Sequence, residues 1–251
     1  MGRLDGEIAL VTGSTAGIGK AIATRFAAEG ASVMVTGRDT RRGLAVAAAC
    51  GPNAAFVAAD LADPGAARSL VEATTARFGG LTVLVNNAAA AEPDGSVADL
   101  DDARWRTILE IDLLAPARLC RAAMPHLRAC GHGAIVNISS RVAARAPRGL
   151  AAYTAAKGAL EAMTRSIAVD EAADGVRCNA IAPGYVLNER RDANMTAEER
   201  ARREAMHLLG LGDPDDVAHA AVYLAARESK WLTGCVLPLD GGSSAARGSF
   251  G

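Results

Sequence analysis

Ile8-Ala9-Leu10-Val11-Thr12-Gly13-Ser14-Thr15-Ala16-Gly17-Ile18-Gly19-Lys20-Ala21-Ile22 is the stretch whose reading decides the fold. Its first four residues are an apolar run of strand length that ends in a Thr-Gly turn. From Gly17 the apolar positions fall at helical spacing (Ile18, Ala21, Ile22, Phe26) as far as Glu29, and Gly30 closes the helix. A strand that turns through glycines straight into a helix brings bare backbone N–H groups to the helix N-terminus, where an anion is favoured. The glycines let the chain turn sharply and approach a pyrophosphate closely. Gly13, Ser14, Thr15, Gly17, Ile18 and Gly19 are therefore candidate cofactor-binding residues, and a dinucleotide is the group they suit.

The same alternation continues outward. Ser32–Val35, Ala55–Ala59, Leu81–Val85, Ala134–Ile138, Val176–Ile181 and Cys235–Leu239 read as strands. Asp63-Pro64 reads as a helix start with Asp as N-cap, and long helical stretches occupy Asp102–Ala129 and Ala151–Ala173. Strands that are continuous apolar runs are buried on both faces, so the sheet is expected to be parallel with helices on each side. That is a doubly wound α/β fold, whose ligands bind at the carboxyl ends of the strands. The segment Asn188–Glu204 breaks the pattern with dense charge, and Thr196 with Glu199 forms a capping box for a short helix. Its place after a strand end marks 188–207 as a lid. Asp213-Pro214 starts another capped helix. No Pro/Gly/Ser-rich linker interrupts the chain, so residues 1–251 are expected to form one domain.

Composition narrows the partners. A net charge of -1 over 251 residues gives no electrostatic reason to expect nucleic acid or an acidic membrane. No stretch approaches the ~20 apolar residues of a membrane span. The N-terminus enters a strand at once, and the five cysteines are scattered without a CxxC pair, which suits reduced thiols in a cytoplasm. His126, Cys130 and His132 lie close in sequence, but no second ligand cluster supports them, so no metal is expected.

The second strand ends in Thr36-Gly37-Arg38. An NAD site carries an Asp or Glu near this point for the ribose hydroxyls. Here Gly37 leaves that space open, and Arg38 offers a fork of donors suited to a 2′-phosphate, with Arg41 and Arg42 adding positive potential. The expected cofactor is NADP(H), ahead of NAD(H).

The glycine loop, Asn86-Asn87-Ala88-Ala89, Ser139-Ser140, Tyr153-Thr154-Ala155-Ala156-Lys157 and Pro183-Gly184 stand in an order that resembles the short-chain dehydrogenase/reductase family. The likeness runs from Leu4 to Leu239-Asp240-Gly241-Gly242. It implies a Rossmann-type seven-stranded parallel sheet, and a homotetramer or homodimer joined through the two long helices and the C-terminal strand. It also implies hydride exchange between a nicotinamide and a small carbonyl or alcohol substrate, as in a ketoreductase. Such chemistry must give a proton to an alkoxide or take one from an alcohol. A free phenol has a pKa of ~10, so working near neutrality asks for ~3 units, or ~4 kcal/mol. Lys157 follows Tyr153 by one helical turn, which puts both on one face. The resemblance makes Tyr153 the acid/base, and Lys157 the ammonium that stabilises its phenolate and bonds the nicotinamide ribose. Ser140 matches the catalytic serine, whose hydroxyl orients the substrate oxygen, whereas Ser139 reads as a strand-end residue. Asp60 and Leu61 would bind the adenine edge. Asn86 would support the strand end, and Asn87 and Ala88 belong with the cofactor residues, Ala88 near the adenosine ribose. Pro183 and Gly184 would bracket the nicotinamide, and Val186 would bond its carboxamide through the backbone.

Three positions depart from the family pattern. Asp112, counted from Trp105, stands where the family has Asn, a residue whose carbonyl holds a water linked to the lysine. A carbonyl is available from any residue, so Asp112 is kept with the catalytic set, and Asp112→Asn is expected to keep or raise activity. Ala89 replaces the glycine of NNAG, and Asn188 replaces a threonine that bonds the carboxamide. The substrate pocket is expected to take in Arg141, Val142, Arg145, the loop after Ala89, Tyr185 and the lid. Arg141, Arg145 and Arg148 would favour an anionic substrate wherever they are not simply solvated. Two other readings stand beside carbonyl reduction. One is a cofactor-binding protein with little catalysis, serving as sensor or structural partner. The other is dehydration or epimerisation at the same site.

Overall fold

The computed structural model describes residues 2–90, 94–189 and 192–245. Strands β1 (Ile8–Val11), β2 (Ser32–Gly37), β3 (Ala54–Ala58), β4 (Val83–Asn86), β5 (Ala134–Ile138), β6 (Arg177–Pro183) and β7 (Val236–Leu239) form one parallel sheet in the order β3-β2-β1-β4-β5-β6-β7. Successive strand residues point to opposite faces, and both faces are filled. Val11, Val33, Val35, Val85 and Val136 join one core with Ile22 and Phe26 of helix α1 (Gly17–Ala28) and Val217 and Val222 of α8 (Pro214–Ala225). Leu10, Met34, Leu84 and Ile135 join the other, with Leu70 of α3 (Ala66–Phe78) and Leu119 and Leu127 of α5 (Ala115–Ala129). The unbroken apolar runs of the sequence have this two-sided burial as their cause. Strand order reverses at β1 and β4, so the loops leaving their carboxyl ends diverge and open a crevice there. No helix among the described residues is long and apolar enough to cross a membrane.

The remaining helices are α2 (Thr40–Cys50), α4 (Asp102–Leu109), α6 (Ala151–Glu171) and α7 (Ala197–Glu204). The caps expected for α7 and α8 are formed. Thr196 and Glu199 bond reciprocally at the start of α7, as do Asp213 and Asp216 at α8. Two expectations are corrected. Asp63 does not cap α3: its carboxylate accepts from the Gly65 N–H at 2.8 Å, closing a turn, and the helix begins at Ala66. Asp102–Ala129 is not one helix either, because a π-helical turn over Glu110–Leu114 separates α4 from α5. Pro116 has no N–H to offer the Asp112 carbonyl in the i→i−4 ladder, so the regular α pattern cannot run through this point. The extra residue in the turn leaves the Asp112 side chain fully buried.

Candidate active site

A cleft of about 1130 Å³ runs along the carboxyl ends of the central strands, and most of the candidate residues line it. Gly13, Thr15, Ile18, Gly19, Arg38, Asp60, Leu61, Asn87 and Ala88 lie in its wall, as do Ser140, Tyr153, Lys157, Pro183, Gly184 and Val186. Ser14, Gly17 and Asp112 do not.

The glycine loop is shaped by close approach. Gly13 has φ +63, and a Cβ there would lie 2.9 Å from Ala88 Cα. At Gly19 a Cβ would lie 2.4 Å from both the Asn87 amide nitrogen and the Gly13 carbonyl oxygen. Asn87 braces this arrangement: its side-chain amide donates to the Thr12 carbonyl at 2.9 Å, and Thr12 Oγ1 accepts from the Asn87 and Ala88 N–H groups. Helix α1 has Ala16 as its N-cap, with no side-chain cap and no acidic residue in its first turn, so its leading N–H groups have no side-chain acceptor and carry the positive end of the helix dipole. This cradle fits a pyrophosphate. Ser14, expected among the cofactor residues, turns away from the cleft. It is 0 % exposed, its hydroxyl donates to the Val11 carbonyl at 2.6 Å, and it accepts from the Thr36 N–H at 2.9 Å. It ties β1 to β2 beneath the loop. Gly17 instead allows the approach of Asn188, whose amide nitrogen would lie 2.8 Å from a Cβ there.

At the far end of the cleft Arg38 is exposed and has no hydrogen bond or ion pair from its side chain among the described residues. The neighbouring Asp39 is already engaged: it accepts from the Arg42 N–H at 2.9 Å and pairs with Arg42 Nε at 2.8 Å. That backbone bond, with the charges of Arg42 and Arg41, holds Asp39 below the ordinary carboxylate range despite some desolvation. The mouth therefore presents the unpaired cation of Arg38 beside a neutralised acid.

Ser140 lies two residues beyond β5 and caps a short 3₁₀ turn, Arg141–Ala143. Its neighbour Ser139 donates to Glu161 at 2.7 Å and is committed to α6. Tyr153 and Lys157 lie one turn apart on α6, and Asp94 fixes the start of that helix by accepting from the Tyr153 N–H at 2.8 Å. Lys157 Nζ donates to the Ile138 carbonyl at 2.9 Å and sits 5.5 Å from the Tyr153 ring centroid. It also pairs with Asp112 Oδ1 at 3.1 Å, with the lysine 2 % and the aspartate 0 % exposed. The second Asp112 oxygen accepts from the Ala90 N–H at 2.8 Å. Burial by itself would push the Lys157 ammonium down, but the phenol of Tyr153 and the Asp112 carboxylate outweigh it, and its pKa lies above the ordinary value. Asp112 pairs with Lys157 and does not itself line the cleft. Asn86 supports the strand end as expected, donating to Asn137 at 2.8 Å, and Asn137 in turn donates to Thr164 of α6 at 2.9 Å.

The opposite wall brings in a residue that the sequence reading missed. His207 is 5 % exposed; its Nε2 accepts from the Tyr185 N–H at 3.0 Å and its Nδ1 donates to the Arg203 carbonyl at 2.8 Å. A backbone N–H can only donate and a carbonyl can only accept, so the imidazole is neutral. It pins α7 to the Pro183-Gly184-Tyr185 turn. A lone His in a charged segment carries no periodicity or motif, so sequence held no signal for it. Of the lid expected over 188–207, Arg190 and Arg191 lie outside the described residues, as do Ala91, Glu92 and Pro93 of the loop after Ala89. Arg141, Val142, Tyr185, Arg203 and Met206 line the cleft, whereas Arg145 and Arg148 do not. Arg145 donates to the Ser243 carbonyl at 2.6 Å. Among the described residues no three His, Cys, Asp or Glu side chains come together as a metal site.

Comparison with known proteins gives the same ordered pattern a family. A family model described as Enoyl-(Acyl carrier protein) reductase matches residues 13–244. The chain is 39% identical over 245 residues to cis-4-hydroxycyclohexanecarboxylate dehydrogenase of Sinomonas cyclohexanicum, covering 95% of this chain and 97% of that protein. It is 38% identical over 249 residues to an NADP-dependent (R)-specific alcohol dehydrogenase of Lentilactobacillus kefiri, covering 97% and 98%. It is 35% identical over 266 residues to a 3beta-hydroxysteroid dehydrogenase of Mediterraneibacter gnavus, covering 96% of each. The seven-stranded parallel sheet, the cleft at its carboxyl edge and these matches together place this chain in the short-chain dehydrogenase/reductase family, oxidoreductases that use nicotinamide cofactors and act on CH–OH groups.

Proposed function

We propose that this protein is an NADP(H)-dependent oxidoreductase that interconverts a carbonyl and an alcohol, with Tyr153 as its acid/base. The observation that carries this reading is the Lys157 ammonium. It is buried, bonded to the Ile138 carbonyl at 2.9 Å, and held 5.5 Å from the Tyr153 ring centroid in the wall of the cleft that the glycine loop opens. A fixed cation beside a phenol favours the phenolate, which is what general acid–base work near neutral pH requires.

The nicotinamide, when bound, supplies or takes up the hydride. Tyr153 gives its phenolic proton to the oxygen of the carbonyl being reduced, and takes it back in oxidation. Ser140 donates a hydrogen bond to that same oxygen and stabilises its developing charge. Lys157 holds the resulting phenolate. Asn87, Gly13 and Gly19 shape the cradle for the pyrophosphate, and the turn at Pro183-Gly184, pinned by His207, closes the nicotinamide end. Arg38 selects the 2′-phosphate, a reading supported by Asp39 being spent on Arg42 and by the NADP-dependent relative. Two of the relatives are named for hydroxyl groups on ring systems, so alicyclic secondary alcohols and their ketones are the first substrates to try. Exposed Leu114 beside α5, Val169 on α6 and Trp231 ahead of β7 support assembly into a homotetramer or homodimer through those elements.

The test is titration of the purified protein with NADPH and NADH by fluorescence, then nicotinamide absorbance with a panel of ketones, beside Tyr153→Phe. The expected result is tight NADPH binding, turnover of at least one ketone, and loss of that turnover in the variant with binding retained. Failure to bind either nucleotide would overturn the reading, and so would full turnover in Tyr153→Phe.

A further inference from the structure

We propose that the substrate is an organic carboxylate, and that Arg203 of the lid helix and Arg141 beside the catalytic serine receive its carboxyl group. This inference rests on the carbonyl–alcohol reading above and adds the class of molecule that the site accepts.

The observation behind it is a contrast in how arginines are answered. Arg68 takes Glu72 at 2.7 Å, Arg128 takes Glu171 at 2.7 Å, and Arg200 takes Glu204 at 2.8 Å. On α7 this pairing consumes Glu204, and the Glu199 carboxylate is used on the Thr196 N–H at 3.3 Å. Arg203 lies on the same helix, half-buried in the cleft wall, with no ion pair among the described residues. Its guanidinium instead lies over the Tyr185 ring, 4.1 Å from the centroid. Stacking occupies the face of a guanidinium and leaves its N–H edges free, the edges that take a carboxylate two bonds at a time.

Arg141 has the same character. It follows Ser140 directly, is half-buried and lines the cleft, and makes no side-chain hydrogen bond or ion pair among the described residues. Burial lowers its affinity for the proton, Asp240 partly restores it, and Arg145 opposes it. Asp240 is close enough to be felt but is committed elsewhere. It accepts from the Gly242 N–H at 3.1 Å, the Ser243 hydroxyl at 3.0 Å and the Ser244 N–H at 2.8 Å. A partly desolvated guanidinium without a counter-ion is costly to the protein, and an anionic ligand relieves that cost. The rest of this wall is apolar, with Val142, Pro147, Leu150 and Met206. A hydrocarbon body carrying a carboxylate at one end and a carbonyl or hydroxyl at the Ser140–Tyr153 end matches both surfaces.

Two measurements test this. Wild type, Arg203→Met and Arg141→Met are assayed with NADPH on levulinate and 4-acetylbenzoate and on their methyl esters, which are neutral but alike in shape. Binding of the unreactive pair benzoate and benzamide is measured by calorimetry in the presence of NADP⁺. Wild type is expected to prefer each acid over its ester at least tenfold in kcat/KM, through KM. Each variant is expected to lower that ratio at least fivefold, and Arg203→Lys to recover part of it. Equal use of acids and esters, together with benzoate binding no better than benzamide, would overturn the proposal. Benzoate binding that depends on Arg203 without reduction of any ketone would leave the anion site standing and overturn the carbonyl–alcohol reading instead.

Discussion

Asp112→Asn is the substitution for which the structure leads to a different expectation from the sequence. From sequence the change is expected to keep or raise activity, because it restores the residue usual in the family. The folded protein engages both carboxylate oxygens, one in the ion pair with Lys157 Nζ at 3.1 Å and one as acceptor from the Ala90 N–H at 2.8 Å. An amide of the same shape has one acceptor and one donor, so it can serve only one of these partners. At 3.1 Å and an effective dielectric of ~20 the pair attracts by about 5 kcal/mol. Desolvation offsets part of this gain, and removing one partner of a buried pair costs ~3–5 kcal/mol in stability. For a chain of this length that corresponds to a fall in Tm on the order of 10 °C. Lys157 then keeps its burial without its counter-ion, so its hold on the phenolate weakens, and kcat/KM at neutral pH is expected to fall more than tenfold. The pH dependence has a definite sign. The folded Lys157 binds its proton more tightly than an unfolded lysine. Its contribution to stability is therefore complete below ~10.4 and is lost as pH rises through the folded value. The Tm gap between wild type and Asp112→Asn should be widest near pH 7 and close as pH climbs past ~10.4. Differential scanning fluorimetry of both proteins across that range, with kcat/KM at pH 7, measures all three effects. A Tm within about 2 °C of wild type at pH 7, with activity kept, would refute the counter-ion role.

Arg38→Ala should raise the KM for NADPH by ~10–100-fold, the worth of about one charge-assisted bond to a 2′-phosphate, and leave the KM for NADH within about twofold. Steady-state kinetics with the two nucleotides decides it, and equal losses with both would mean that Arg38 acts on something the cofactors share. Gly19→Ala sets a Cβ 2.4 Å from the Gly13 carbonyl oxygen, which is backbone and cannot swing aside. Nucleotide binding, followed by fluorescence, should weaken by at least tenfold, and unchanged binding would show that the cradle has slack.

The strands were legible in sequence because each is short, apolar throughout and followed by a helix-period segment, and burial on both faces demands that composition. The capping box at Thr196, the helix start at Asp213 and the glycine turn at Gly13–Gly19 were legible for a related reason. Each depends on residues within a few positions of one another, so spacing alone carries the geometry. Asp63 shows where this fails, since an Asp-Pro-Gly string serves equally well as a turn before a helix or as its cap.

Sequence by itself determined the layered parallel fold, the order of the loops around the crevice, and the types of residue that meet there. Only the tertiary structure decided which way those residues face. Ser14 stands inside the glycine motif yet turns inward to join β1 to β2. Asp112 and Lys157 are distant in the chain and meet because a π turn, forced where Pro116 lacks an N–H, carries the carboxylate inward. His207 and Arg203 gain their roles from packing against Tyr185, and Arg145 is drawn off to Ser243. Local patterns are set by backbone geometry and burial within a segment. A contact between segments depends on how whole helices pack over the sheet, and no short window of sequence contains that information.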